Sequence, residues 1–180
     1  MIELINVRKV FNAGNPSEFS AINTVNLHIA ENKITVLKGP SGSGKTTLLS
    51  IVGCMSRPTA GRVKLNEREI TSLPERFLTE IRRKTFGFIF QQPNLIKGIS
   101  VLDNVMIVRA LINNPSIIIA DEPTAHLDTK LSYRFMEIVE KFKADGKTVI
   151  ITSHDPLVYD SAMVDCVVNL RDGKIEDAPP

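Results

Sequence analysis

Apolar and polar side chains alternate imperfectly over Ile2–Phe11 and again over Ala21–Ile29. That period of two predicts two half-buried strands, joined by the breaker-rich loop Asn12-Ala-Gly-Asn-Pro-Ser17. After a turn at Glu31-Asn32 the pattern changes to an unbroken run, Ile34–Leu37, which predicts a strand buried on both faces. Thr47–Val52 reads as a helix, and the cluster Arg57-Pro-Thr-Ala-Gly61 separates it from a short strand, Arg62–Asn66. Ser72-Leu-Pro-Glu75 has the spacing of a capping box and predicts a helix to about Lys84, with Phe77, Leu78 and Ile81 on one face. Phe86–Phe90 is a further buried strand. Ser100-Val-Leu-Asp103 repeats the capping pattern ahead of a stripe formed by Val101, Leu102, Val105, Val108, Leu111 and Ile112, which Asn113-Asn-Pro115 ends.

The second half of the chain repeats the alternation of strand and helix. Ser116–Asp121 is near-continuously apolar and ends in acid, as a central parallel strand does. A helix follows over Thr129–Ala144 with Gly146 as its C-terminal stop, then a buried strand, Lys147–Thr152. Cys166–Leu170, a turn at Asp172-Gly173 and a short return strand complete the pattern. Such alternation predicts one α/β domain over residues 1–180 with a mostly parallel sheet, and the helix-poor N-terminal strands predict an antiparallel flank.

Composition changes little in this picture. The 180 residues are 43% hydrophobic and 23% charged, with a net charge of +2, which gives no case for nucleic-acid binding. Cys54 and Cys166 stand apart without C-x-x-C spacing and read as reduced structural thiols. Met1–Asn6 has neither a basic nor an apolar leader character, and no apolar run approaches the ~18 residues that span a bilayer. The expectation is a cytoplasmic protein whose membrane role, if it has one, comes through a partner.

The chemistry centres on Gly39-Pro-Ser-Gly-Ser-Gly-Lys-Thr46, which fits the phosphate-loop pattern G-x-x-x-x-G-K-[ST]. It lies between a predicted strand and a predicted helix, the order this chemistry needs. Gly39, Gly42 and Gly44 let backbone N–H groups turn toward phosphate oxygens, with Pro40, Ser41 and Ser43 completing the cradle, and the helix adds its positive end. In such a loop Lys45 bridges the β- and γ-phosphates, Thr46 ligates Mg²⁺ and Thr47 reaches the α-phosphate. Ile117-Ile-Ile-Ala-Asp-Glu122 is four apolar residues followed by two acids. Alone they are a strand ending in solvated charge. Behind a phosphate loop, Asp121 is placed to hold Mg²⁺ through water and Glu122 to act as general base.

These residues, with Gln91 after an aromatic strand, Asp121-Glu122-Pro-Thr-Ala-His-Leu-Asp128 and Ser153-His154-Asp155, resemble the ATP-binding subunit of ATP-binding cassette (ABC) transporters over nearly the whole chain. Arg82–Leu95 is most similar to the lipoprotein-releasing and macrolide-exporting branch. The resemblance implies a P-loop NTPase core with ATP and Mg²⁺ as cofactors, hydrolysis that drives a membrane-spanning subunit, and head-to-tail pairing with a second copy. It implies adenine stacking for Phe11, a link between Mg²⁺ and the membrane partner for Gln91, and a γ-phosphate switch that orients Glu122 for His154. Ala125–Asp128 becomes the loop that faces the second subunit, with His126 a tolerated surface residue. Read without the resemblance, Phe11 is ordinary core and Gln91 an ordinary strand cap.

The resemblance breaks at one place. Between Gln91 and Asp121 the family carries a helical subdomain ending in a Leu-Ser-Gly-Gly-Gln-type signature, and no such sequence occurs here. Ser100–Met106 resembles the start of that subdomain and Val108–Leu111 its end, so the chain reads as joined near Ile107-Val108. In the family each signature supplies hydrogen-bond donors to the partner's γ-phosphate, a preorganised term of the kind that dominates catalysis. The alternative function is therefore an ATP-binding core with little or no turnover. A GTPase or small-molecule kinase fits less well, since no Asn-Lys-x-Asp motif is present, and a DNA-repair ATPase would want coiled-coil insertions that are absent.

Overall fold

The computed structural model describes residues 1–90, 111–125 and 127–176. Ten strands in two sheets and four helices are defined within them. The first sheet is antiparallel, with order β2-β1-β4-β5, from β1 (Ile2–Phe11), β2 (Phe19–Ile29), β4 (Ala60–Leu65) and β5 (Arg68–Glu69). The second has order β10-β9-β3-β8-β7-β6 and comprises β3 (Ile34–Lys38), β6 (Phe86–Ile89), β7 (Ile117–Asp121), β8 (Thr148–Thr152), β9 (Cys166–Arg171) and β10 (Lys174–Ile175). All its pairings are parallel except β9 with the return strand β10. The expected mostly parallel sheet is present, and the expected antiparallel flank is a separate sheet.

The unbroken apolar runs follow from burial on both faces. Successive side chains of a strand point to opposite sides. From β7, Ile117 and Ile119 enter a core shared with the antiparallel sheet and with α1 (Lys45–Val52), which contributes Leu48, Leu49, Ile51 and Val52. Ile118 and Ala120 enter a second core on the other face, with Phe135, Met136, Val139 and Phe142 of α3 (Thr129–Ala144) and Val158 of the short α4 (Pro156–Tyr159). Burying each large aliphatic side chain stabilises the fold by about 1.5–3 kcal/mol relative to exposure. Either core therefore holds the parallel sheet rigid beneath its C-terminal edge.

Helix ends were legible in part. At the end of α3, Lys147 N–H bonds to Phe142 O at 2.9 Å and Gly146 N–H to Lys143 O at 2.9 Å, with Gly146 at φ 75°. These are the two bonds of a Schellman stop. The capping box at Ser72 does not form. Pro74 caps α2 (Glu75–Thr85) and makes no side-chain cap hydrogen bond. Proline disfavours helical backbone in the residue before it, so the helix cannot begin early enough for Ser72 to reach. Glu75 instead accepts from Arg82 at 2.6 Å, and Arg57 donates to the carbonyl oxygens of Thr71 and Leu73. The pattern from Ser100 to Ile112 lies, up to residue 110, outside the described residues, as do Gln91 and His126. Both cysteines are free, and burial pushes the Cys54 thiol up to about 11, which keeps it protonated and inert.

Candidate nucleotide and metal site

Parallel order alone brings the predicted residues together. In the second sheet β3 leads into the phosphate loop and β7 ends at the two acids, with β8 between them. The register sets Leu37, Thr152 and Asp121 side by side in one row at the C-terminal edge. An open α/β sheet binds its ligands at that edge.

A cleft of about 610 Å³ lies there, lined by Pro40–Thr47, Glu122, His154, Phe19 and Ala21. The loop's shape depends on close backbone approach. Gly44 caps α1 at φ 102°, and a Cβ there would stand 2.5 Å from Ala21 O. A Cβ on Gly39 would stand 2.0 Å from Leu170 O. Neither position has room for a side chain, so the backbone of β2 and β9 demands glycine at both. Among the described residues, Lys45, Thr46 and Thr47 N–H groups have no protein acceptor, the ordinary state of a helix's first turn. Ser43 Oγ is buried and likewise has no partner among them.

Lys45 is only 7% exposed. Its ammonium donates to Gly39 O at 2.8 Å and to Pro40 O at 3.1 Å, so it folds back across the loop. It also lies 3.5 Å from Glu122 Oε1. The other oxygen, Glu122 Oε2, is 2.8 Å from His154 Nδ1. Thr46 Oγ1 donates to Asp121 Oδ1 at 3.2 Å. His154 is held at its place by its neighbours: Ser153 N–H bonds to Leu37 O, Ser153 Oγ accepts from Asp155 N–H at 3.0 Å, and Asp155 caps α4 through Leu157 N–H.

Gly39–Thr47, Asp121, Glu122 and His154 thus meet in one place. Gln91 lies outside the described residues. Phe11 does not line the cleft. Its ring stacks on Phe19 with centroids 6.5 Å apart, and it is Phe19, 55% exposed against 40% for Phe11, that faces the cleft. The two are cross-strand partners at the ends of β1 and β2, and Lys9 Nζ lies 5.0 Å over the Phe11 ring. In the sequence Phe19 is marked only as an aromatic just beyond a Pro-containing loop. Asp128, expected in a subunit-facing loop, caps α3 by accepting from Leu131 N–H at 2.8 Å.

Thr152 was not singled out by sequence. Its hydroxyl donates to Asp121 Oδ1 at 2.6 Å and accepts from Glu122 N–H at 2.9 Å. A threonine ending an apolar strand looks like any β-branched residue, so pattern reasoning had no means to separate it from its neighbours.

Comparison with known proteins agrees with this geometry. A family model described as "ABC transporter" matches residues 22–105, and one described as "AAA domain, putative AbiEii toxin, Type IV TA system" matches residues 105–160. The ABC transporter ATP-binding protein MJ0796 of Methanocaldococcus jannaschii is 34% identical, over 98% of this chain and 95% of its own. The macrolide export ATP-binding/permease protein MacB of Hyphomonas neptunium is 32% identical over 97% of this chain but only 34% of its own length. A dimeric structure of MJ0796 superposes with a TM-score of 0.90 at 33% identity, covering 98% of this chain and 97% of that one. Its ADP- and phosphate-bound structure superposes at 0.88. The MJ0796 alignment runs over 227 positions against 180 residues here, so several tens of its positions face no residue of this chain. The two family matches meet at residue 105, close to the joint expected near Ile107-Val108. The chain belongs to the ATP-binding proteins of ABC transporters, the family that binds and hydrolyses ATP to drive transport, and is a shortened version of them.

Proposed function

We propose that this chain binds Mg²⁺-ATP in the cleft at the C-terminal ends of β3, β7 and β8. The observation that carries the reading is the convergence of the phosphate loop, the Thr46–Asp121 pair and the Lys45–Glu122–His154 chain on one cleft. The donors suit the metal. A hydroxyl and a carboxylate are hard oxygens, and Mg²⁺ keeps several waters while taking one or two protein groups and the phosphates. When bound, Mg²⁺ neutralises charge on the phosphates. Lys45, now turned onto the Gly39 and Pro40 carbonyls, turns instead to phosphate oxygens. The free first-turn N–H groups of α1 and the orphaned Ser43 hydroxyl supply further donors. Glu122 then takes the proton of the attacking water, and His154 orients that carboxylate. The adenine ring of the bound nucleotide would lie against Phe19, with Phe11 stacked behind that side chain.

The parent context is a membrane-spanning transporter subunit, with this chain peripheral to the inner face of the cell membrane. Supporting this, the MacB relatives join an ATP-binding part to a permease, and no helix of the described residues is long and apolar enough to cross a membrane. Gln91 is the residue for coupling to that partner. Pairing with a second copy would follow MJ0796, whose structure is described as dimeric.

A second reading follows from the sequence, which holds no Leu-Ser-Gly-Gly-Gln-type signature. The missing signature leaves the γ-phosphate without donors from a partner, so this chain binds ATP and turns it over barely at all. Calorimetry with ATP, with and without Mg²⁺, together with steady-state phosphate release, tests both. Binding that Mg²⁺ strengthens, with measurable release, supports full function; binding without release supports the second reading; no binding refutes both.

A further inference from the structure

We infer that Thr152 is a positioning residue, a single buried hydroxyl that holds both acids of the site in register for a cation-bound triphosphate. The inference rests on the proposed Mg²⁺-ATP reading and extends it to a residue outside every motif. Thr152 is 0% exposed, so its hydroxyl must find partners within the protein. It has one proton and two lone pairs. The proton goes to Asp121 Oδ1 at 2.6 Å, the short length of a hydroxyl donating to an ionised carboxylate. A lone pair accepts the N–H of Glu122 at 2.9 Å. One atom thereby ties the side chain of one acid to the backbone of the next.

Two consequences follow for the site. Asp121 Oδ1 receives two hydroxyl donors, Thr152 from β8 and Thr46 from α1. Those two bonds occupy both lone pairs of that oxygen. Among the described residues Oδ2 receives none, which leaves it as the oxygen for a cation's water. Glu122 sits at φ 47°, a left-handed backbone that a side-chain-bearing residue adopts only when held. Its N–H is held twice, by Thr152 Oγ1 and by Thr152 O at 3.1 Å. Glu122 Oε2 then meets His154 Nδ1. Val149, Ile150 and Ile151, the residues before Thr152, are wholly buried hydrocarbon, and valine would serve the strand equally at position 152. The hydroxyl is what valine lacks.

The test compares Thr152→Val and Thr152→Ser by calorimetric ATP affinity with Mg²⁺ and with EDTA, alongside thermal unfolding. The expected result for Thr152→Val is Mg²⁺-ATP affinity lowered roughly tenfold or more, the scale of a hydrogen bond to a charged group, with ATP affinity in EDTA unchanged. Thr152→Ser keeps the hydroxyl and restores Mg²⁺-ATP affinity. Should the valine variant not fold, Thr152→Ala gives the same comparison without a methyl against the carboxylate. Equal Mg²⁺-ATP affinity in the wild type and the hydroxyl-less variant would overturn the inference. So would an equal loss with and without Mg²⁺, or a serine variant as impaired as the valine one. A wild-type chain whose ATP affinity does not respond to Mg²⁺ would instead sink the reading of the site, and this inference with it.

Discussion

His154 Nδ1 stands 2.8 Å from Glu122 Oε2, and Lys45 Nζ stands 3.5 Å from the other oxygen of the same carboxylate. The Nδ1–H tautomer of His154 donates to this carboxylate oxygen. The Glu122 carboxylate is engaged on both sides, by Lys45 through one oxygen and by His154 through the other.

The sequence, however, carries no signature to supply donors to a partner's γ-phosphate. Losing one preorganised donor in comparable sites lowers the rate by roughly 10²–10³, and several are missing. On the second reading, the chain binds Mg²⁺-ATP, remains monomeric and hydrolyses it barely above background. Glu122→Gln, which should slow an intact family member sharply and trap an ATP-bound dimer, changes neither rate nor mass appreciably. Phosphate release and light scattering with ATP check this. Robust turnover abolished by Glu122→Gln, or an ATP-dependent dimer, would show that other residues fill the signature's role.

Lys45→Ala removes a charge-assisted contact to phosphate, worth roughly 1.5–3 kcal/mol. It also releases Glu122 Oε1 and the Gly39 and Pro40 carbonyls. ATP affinity measured by calorimetry is expected to drop by at least about tenfold, the lower end of that range. Equal affinity in mutant and wild type would rule out the assignment of the phosphate loop.

Base choice is expected to be weak. Aromatic stacking recognises a π-face that every base has, and is worth roughly 1–3 kcal/mol per base. Phe19 lines the cleft and Phe11 supports it from behind. Phe19→Ala should therefore weaken ATP binding more than Phe11→Ala, and ATP should outcompete GTP only modestly. A strong GTP preference in a competition assay, or the reverse order of the two alanine variants, contradicts this arrangement.

Asp165 predicts the acid limb of stability. Burial works to raise its pKa, but the Ile34 N–H and the Lys143 and Lys33 ammonium groups outweigh it and hold the carboxyl below its usual value. A depressed folded pKa means the unfolded chain takes up the proton first. The stabilisation is therefore fully present above about pH 4, the unfolded aspartate value, and lost as pH falls through the lower folded value. Asp165→Asn is expected to lower the thermal midpoint at neutral pH, with a difference from wild type that shrinks below about pH 4. A difference that stays constant across that range would remove Asp165 from the acid transition.

By itself the sequence determined the strands with apolar runs, the phosphate-loop pattern at Gly39–Thr46, and the acids Asp121 and Glu122 and His154 as residues of one candidate site. These are local signals: each depends on residues a few positions apart, in a spacing that the period of a strand or the turn of a loop dictates. The misjudged details depended on neighbours in space. Ser72 and Glu75 have the right spacing, but Pro74 sets where α2 begins and Arg82 takes the glutamate. Phe11 and Phe19 are both aromatic, and only the pairing of β1 with β2 decides which of them faces the cleft. Thr152 became visible only once β8 was seen to lie between β3 and β7. Strand order is a property of the folded sheet, set by which apolar faces pack together. A hydroxyl that reaches two acids thirty residues away in the chain leaves no periodic trace in its own strand.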